Sequence, residues 1–246
     1  MIKVVIHLTK VVIAAVVALL FASCTMNVGS LKKVDGSRNV VTKNRNISSD
    51  FTSIKASNGL EIILEQGSTT EVKVEADDNL QEHIKTEITD GELKIYADIN
   101  IRNAKSKKVF VRLAKLNSLE TSSGSSVSSV NVLENTSMDF SSSSGSEIDV
   151  KVNAATVSCK SSSGSEIRIS GKADKLETES SSGSTIEAQD LIVKNAVADS
   201  SSGSSINLNV SETLTAEASS GSSVSYENEP KTLNKKVSSG GSVSVE

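Results

Sequence analysis

The sequence is short of rings. Its 246 residues include no Trp, and aromatic residues make up 2% of it. A sugar site that stacks its ligand on aromatic faces is therefore poorly supplied. The core has to be built from Val, Ile, Leu and Ala, which carry most of a 37% apolar fraction. Two His and two Cys leave little for a His/Cys metal centre or a His-based catalytic apparatus. The net charge of −4 argues against nucleic acid as the main partner. The length suits one or two domains.

Long apolar runs are also scarce, with one exception at the start. Val11 to Ala22 is a run of 12 apolar residues behind Lys3 and Lys10. A membrane span needs about 20 residues, whereas a secretory signal needs a shorter run behind a basic leader. The run ends in Leu20-Phe21-Ala22-Ser23-Cys24. Small residues before a Cys resemble the bacterial lipobox, with Phe21 at a position more often Leu. That resemblance implies cleavage before Cys24 and acylation of its thiol and new amino terminus, so the membrane becomes a partner through the lipid. Cleavage removes two lysines and no acid, which moves the net charge from −4 to −6. With Cys24 a thioether, Cys159 has no disulfide partner and reads as a small buried hydrophobe. Residues 24–35 read as a polar tether, free of Asp and Glu from Thr25 to Val34.

The main feature is internal repetition. A Ser-Ser-Gly motif recurs at Gly124, Gly145, Gly164, Gly183, Gly203, Gly221 and Gly240, with spacings of 18 to 21 residues. Let each glycine be position zero. Position +3 is Val127, Ile148, Ile167, Ile186, Ile206, Val224 and Val243, β-branched every time. Apolar or small residues at −7, −5, −3, +3 and +5 give period 2, the strand signature. The glycine between them marks a corner where a Cβ would clash or φ must be positive. A unit of about 19 residues with two alternating segments cannot bury its apolar face alone, but it can when stacked on its copies. The expected fold is all-β: a parallel β-solenoid, right-handed by default. Seven coils make a rod of about 34 Å.

The invariant Ser pairs at −2 and −1 are expected to stack as hydroxyl ladders along this corner. Catalysis by them would need a base, and no His lies in the repeat. Calcium-binding solenoid turns carry Asp, absent here. Ice-binding faces carry Thr, sparse here. At +2, Glu147 and Glu166 stand side by side near Lys151 and Arg168. Such a pair can bind a cation or serve acid–base chemistry, or it can be a balanced, solvated face. At +4, Asp149, Arg168 and Glu187 alternate in sign and are expected to form an ion-pair ladder.

Residues 36–118 precede the strict repeat and are still β-rich. Phe51 to Ala56, Leu60 to Leu64, Val72 to Val74 and Lys107 to Leu113 read as strands. Asp77 to Ile84 reads as a short helical turn with His83 on its surface, and Asp90-Gly91 as the turn of a hairpin. The chain then divides into a signal (1–23), a tether (24–35), a leading segment (36–118) and a repeat (119–246) continuous with it.

Gly36-Ser37-Arg38-Asn39-Val40, Phe51…Ile54, Gly59-Leu60-Glu61-Ile62, Glu65-Gln66-Gly67, Val72…Leu80 and Asp90-Gly91-Glu92-Leu93-Lys94-Ile95, followed by Ser-Gly-Ser repeats, resemble the head-GIN domain of putative auto-transporter adhesins. The resemblance runs from about residue 36 to the C-terminus. It implies a β-helical fold and an envelope lipoprotein of Bacteroidetes type, and it supplies no catalytic residues and no cofactor. Nothing here resembles a translocator barrel. The tether lacks both an Asp after Cys24 and the acidic cluster of Bacteroidetes surface export, so the cell surface and the periplasmic face of the outer membrane both stay open.

The expected function is non-enzymatic: a lipid-anchored solenoid surface for adhesion or contact with a protein or cell-surface ligand. A carbohydrate-active β-helix and a structural or envelope-stress module are the alternatives. The strand pattern at Val243-Ser244-Val245 exposes an open edge. Either two chains pair there end to end as a homodimer, or Lys235 and Lys236 guard against it.

Overall fold

The computed structural model describes residues 32–47 and 49–246, where the alternating segments are strands. The expected signal and Cys24 lie outside the described residues. The leading segment holds β1 (Lys33–Val34), β2 (Val40–Arg45), β3 (Ser53–Ala56), β4 (Glu61–Gln66), β5 (Glu71–Asp77), β6 (Ile84–Thr89), β7 (Glu92–Ala97), β8 (Asn100–Ile101) and β9 (Lys107–Leu113). The repeat holds β10 (Ser118–Thr121), β11 (Ser126–Ser143), β12 (Glu147–Ser162), β13 (Glu166–Ser180), β14 (Thr185–Ser200), β15 (Ser205–Ala218), β16 (Ser223–Tyr226), β17 (Thr232–Val237) and β18 (Ser242–Val245). Lys33–Glu246 is a single unit. Its first two residues come from the expected tether: β1 pairs with β8.

Each repeat strand pairs in parallel with the equivalent strand of the next coil, so equal positions stack. The +3 column from Val127 to Val224 is buried at 1% exposure or less. Cys159 is buried in the −5 column, and its thiol is pushed up to about 12 by burial and by the nearby Asp139. It packs as an apolar residue, as expected.

The corner is a type I′ turn. The −1 serines have φ of +48° to +56°, and the zero glycines have φ of +68° to +77°. In six of the corners the +1 N–H donates to the −2 carbonyl, as in Ser165 to Ser162 at 3.3 Å. A Cβ on Gly164 would meet nothing within 4 Å, so this glycine is kept for its φ and not for space. Gly171 is the opposite case, since a Cβ there would lie 2.1 Å from the Val152 carbonyl oxygen.

The hydroxyl ladder exists, but on different serines from those expected. The −2 and −1 side chains point outward. The buried network uses position +1 (Ser125, Ser146, Ser165, Ser184, Ser204 and Ser222) and position −3. Ser165 Oγ lies 2.7 Å from the Ser142 carbonyl of the preceding coil and 2.8 Å from the Ser162 carbonyl of its own. It accepts the Ser162 N–H at 3.1 Å and lies 2.9 Å from Ser161 Oγ. Ser146, Ser184 and Ser204 repeat the pattern. Position +1 faces the core side of the turn, where the carbonyls would otherwise be buried without a donor. The outward serines have water.

The leading segment continues the stack out of sequence order. β3 and β4 form a further coil with its own corner, where Asn58 and Gly59 have φ of +66° and +69°. This coil lies between β10/β11 on one side and β7/β9 on the other. Beyond it the sheet turns antiparallel: β6 pairs with β7, β5 with β9 and β2 with β5. Asp90-Gly91 makes the expected hairpin turn between β6 and β7. Asp78–Leu80 is a 3-10 turn, and the partly exposed His83 beside it contacts Asp98 at 2.8 Å.

Asp77 pins this cap. Its carboxylate is fully buried. It accepts the N–H of Arg38 at 2.9 Å, of Ser106 at 3.1 Å and of Lys105 at 3.1 Å. The chain at Gly36 passes so close that a Cβ would sit 2.0 Å from Asp77 Oδ2. Burial alone would raise the Asp77 carboxyl, but the backbone donors of Arg38, Ser106 and Lys105 overcome it and hold the group below its ordinary value. Its contribution is therefore complete above the unfolded value of about 3.9 and is lost as pH falls through the lower folded value.

Two outcomes are expected. Ser165→Ala costs about 1–3 kcal/mol, because it strands buried backbone groups, whereas Ser163→Gly, at φ +56°, is neutral or stabilising by up to about 1 kcal/mol. Urea denaturation of the two variants checks the contrast. Asp77→Asn costs about 1–3 kcal/mol at pH 7, because the amide turns an N–H toward N–H donors. It also flattens the loss of stability that the native chain shows below about pH 4, which thermal melts at neutral and acid pH measure.

Candidate interaction surface

In-register stacking converts each outward position into a column of side chains one coil apart. On one flank the −4 column runs Lys55, Glu120, Ser141, Lys160, Glu179, Asp199, Glu217 and Lys236. Neighbours of opposite sign pair across coils: Lys55 with Glu120 at 2.6 Å, Lys160 with Glu179 at 3.0 Å and Lys236 with Glu217 at 3.0 Å. Asp199 stands between two acids. A groove of about 420 Å³ runs here, between Lys160, Glu179 and Asp199 and the serines of the corner, among them Ser162, Ser181 and Ser201. It is a shallow polar surface suited to contact with another surface.

The other flank carries the +2 and +4 columns. Glu147 and Glu166 are in-register neighbours, as expected. The expected Asp149–Arg168–Glu187 ladder does not form. Arg168 turns instead to the +2 carboxylates: one guanidinium nitrogen bonds Glu147, and the other lies 2.6 Å from Glu166. The reason is geometric. Residues two apart on a strand share a face, and the planar guanidinium can bridge two carboxylates that would otherwise repel each other. Glu187 accepts a hydrogen bond from Asn207 at 2.8 Å. Arg168 thus pairs with both Glu147 and Glu166 and balances their charge. Among the described residues, no group of three or more His, Cys, Asp or Glu side chains is placed to hold a metal ion.

A third feature was not drawn from the sequence. Ile63, Phe110 and Val130 line an apolar hollow of about 220 Å³. Ion pairs rim it, Arg112 with Glu65 at 2.8 Å and Lys73 with Glu71 at 2.9 Å. Alternation carries the signal. Val109 and Val111 are buried, so Phe110 between them must face out. The repeat glycines take part in none of these surfaces and act only at the corner. Cys24, the lipid-attachment candidate, is outside the described residues.

A family model described as "Putative auto-transporter adhesin, head GIN domain" matches residues 50–230. A solved structure of a "putative adhesin" from Bacteroides fragilis is similar with a TM-score of 0.81 and 20% identity, covering 87% of this chain and 100% of that one. A "putative lipid binding protein" from Parabacteroides distasonis is similar with a TM-score of 0.74 and 20% identity over 87% and 100% of the two chains. A "putative adhesin" from Parabacteroides merdae gives 0.69 and 17% over 87% and 99%. At these identities the likeness establishes the fold. No curated protein matches the chain.

Arg168→Gln is expected to cost less than about 1 kcal/mol, because the groups it joins are half exposed. The difference from the native chain should shrink further at high salt. Denaturation at low and high sodium chloride measures both.

Proposed function

The chain belongs to the head GIN domain family of putative auto-transporter adhesins, and from that membership we propose that it is a non-enzymatic, lipid-anchored protein of the outer membrane. Its work is to present a flank of the solenoid to a protein or cell-surface ligand. The observation that carries this reading is the stacking of outward positions into continuous columns on a hydrogen-bonded core. Affinity in such a surface comes from many weak, evenly spaced contacts and not from one deep pocket. The −4 flank is the strongest candidate, because Glu179, Asp199 and Glu217 are successive there and, among the described residues, have only Lys160 and Lys236 paired with them. The non-enzymatic part of the reading is supported by Arg168, which occupies the one carboxylate pair that suggested acid–base chemistry. The anchor rests on the signal and lipobox that end at Cys24.

Three results test the proposal. Cys24→Ser should move the protein from the membrane to the soluble fraction. Protease added to intact cells should digest it if it stands on the surface. Protection until the outer membrane is opened would place it on the periplasmic face and turn the search to envelope partners. Joint neutralisation by Glu179→Gln, Asp199→Asn and Glu217→Gln should weaken binding of a surface ligand by at least about tenfold with little change in stability. A native chain that binds no envelope or host surface, with a deletion strain of unchanged adhesion, would sink the reading.

A further inference from the structure

The two ends of the stack are unlike. The leading end is closed by antiparallel strands. At the other end β17 pairs only with β15 and β18 only with β16, among the described residues. Such edges are templates for a further strand. The side chains of the last coil decide what happens there.

The −5 column shows it best. Leu119, Phe140, Cys159, Thr178, Ala198 and Ala216 stand in register, each at 2% exposure or less. The next residue in register, directly on Ala216, is Lys235. A cation therefore occupies a position that every earlier coil fills with an apolar or small residue. Its neighbour Lys236 is different: it belongs to the outward −4 column and bonds Glu217. Of the two lysines, only Lys235 stands on the core side. The last coil departs from the repeat elsewhere too. Gly241 replaces the +1 serine, so the corner lacks its hydroxyl. Val237 at −3 is 47% exposed and Val245 at +5 is 54% exposed.

We propose that Lys235 terminates the stack. A strand laid on β17, from a further coil or from a second copy of this chain, would cover the Lys235 ammonium. The column below it offers no carboxylate, only Ala216, Ala198 and Thr178. Burying an unpaired ammonium costs more than the hydrogen bonds of one added strand return. Val237 and Val245 can then stay exposed at this end without drawing copies together. The inference is independent of what the flanks bind, and it selects the monomer over the end-to-end pair.

The test is the oligomeric state of the Lys33–Glu246 unit, followed by light scattering and sedimentation across a wide concentration range. The native unit should remain a monomer. Lys235→Val should at least double the weight-average mass at the upper concentrations, and Lys235→Ala should act in the same direction. Lys235→Arg and Lys236→Ala should leave the mass unchanged. The proposal is overturned if the native unit already associates and Val245→Asp dissociates it. It is equally overturned if Lys235→Val and Lys235→Ala both stay monomeric with native circular dichroism.

Discussion

The corner is the constraint on which the rest of the structure depends. A parallel stack must return each coil to the same place, at the same height, on every circuit. Here a type I′ turn does this, with two consecutive residues in left-handed conformation. The +1 hydroxyl adds what a bare turn lacks. It lies within hydrogen-bond reach of the −3 carbonyl of the coil before, so the corner of one coil is registered against the next. The zero glycine adds a second tie, because its N–H donates to the −1 carbonyl of the following coil, as in Gly164 to Ser182 at 3.2 Å. The buried polar groups of the corner thus find their partners within the protein.

Because register is set at the corner, it can be relaxed elsewhere. The repeat spacing varies, and the excess is absorbed in register shifts between Ser128 and Val132, Arg168 and Gly171, Ala188 and Ile192, and Val193 and Asn195. All of these fall on the part of the coil away from the glycine. The residues leading into and out of the turn stay aligned throughout. This explains why the outward columns nearest the corner are continuous while the far side is ragged. It also shows where insertions cost least: a β-bulge there changes one coil and leaves its neighbours in place.

Much of this was legible in the sequence, because a repeat provides its own alignment. The +3 column, the glycine turn and the parallel stack follow from spacing and period 2 alone. The ladder was misplaced because periodicity gives position but not direction within a turn. Ser at −2, −1 and +1 looks alike in a string of serines. Only the left-handed −1 and zero residues turn +1 inward and leave the other two in water. Arg168 was assigned to its in-register neighbours, although a long side chain reaches along its own strand as easily as across to the next. Ser57-Asn58-Gly59 is a corner of the same kind. It was hidden because the chain enters the stack at β3, leaves to build the cap, and returns on the other side of that coil at β10.

The division between corner and column also bears on what the molecule can do. In the −4, +2 and +4 columns, Ser, Thr, Glu, Asp, Lys, Arg and Asn replace one another from coil to coil, while the corner keeps Ser-Ser-Gly at −2, −1 and zero. A substitution in these columns changes the surface without touching the backbone ladder and the corner hydrogen bonds that hold the coils together. The flanks can therefore be altered to suit a partner at small cost in stability. The ends cannot. One carries the Asp77 clamp, where a single carboxylate answers three backbone donors. At the other, the coil edge is exposed and a lysine stands where the core would continue. A partner that met either end would have to contend with backbone already committed or with a charge that resists burial, which favours the flanks as the proposed contact surface.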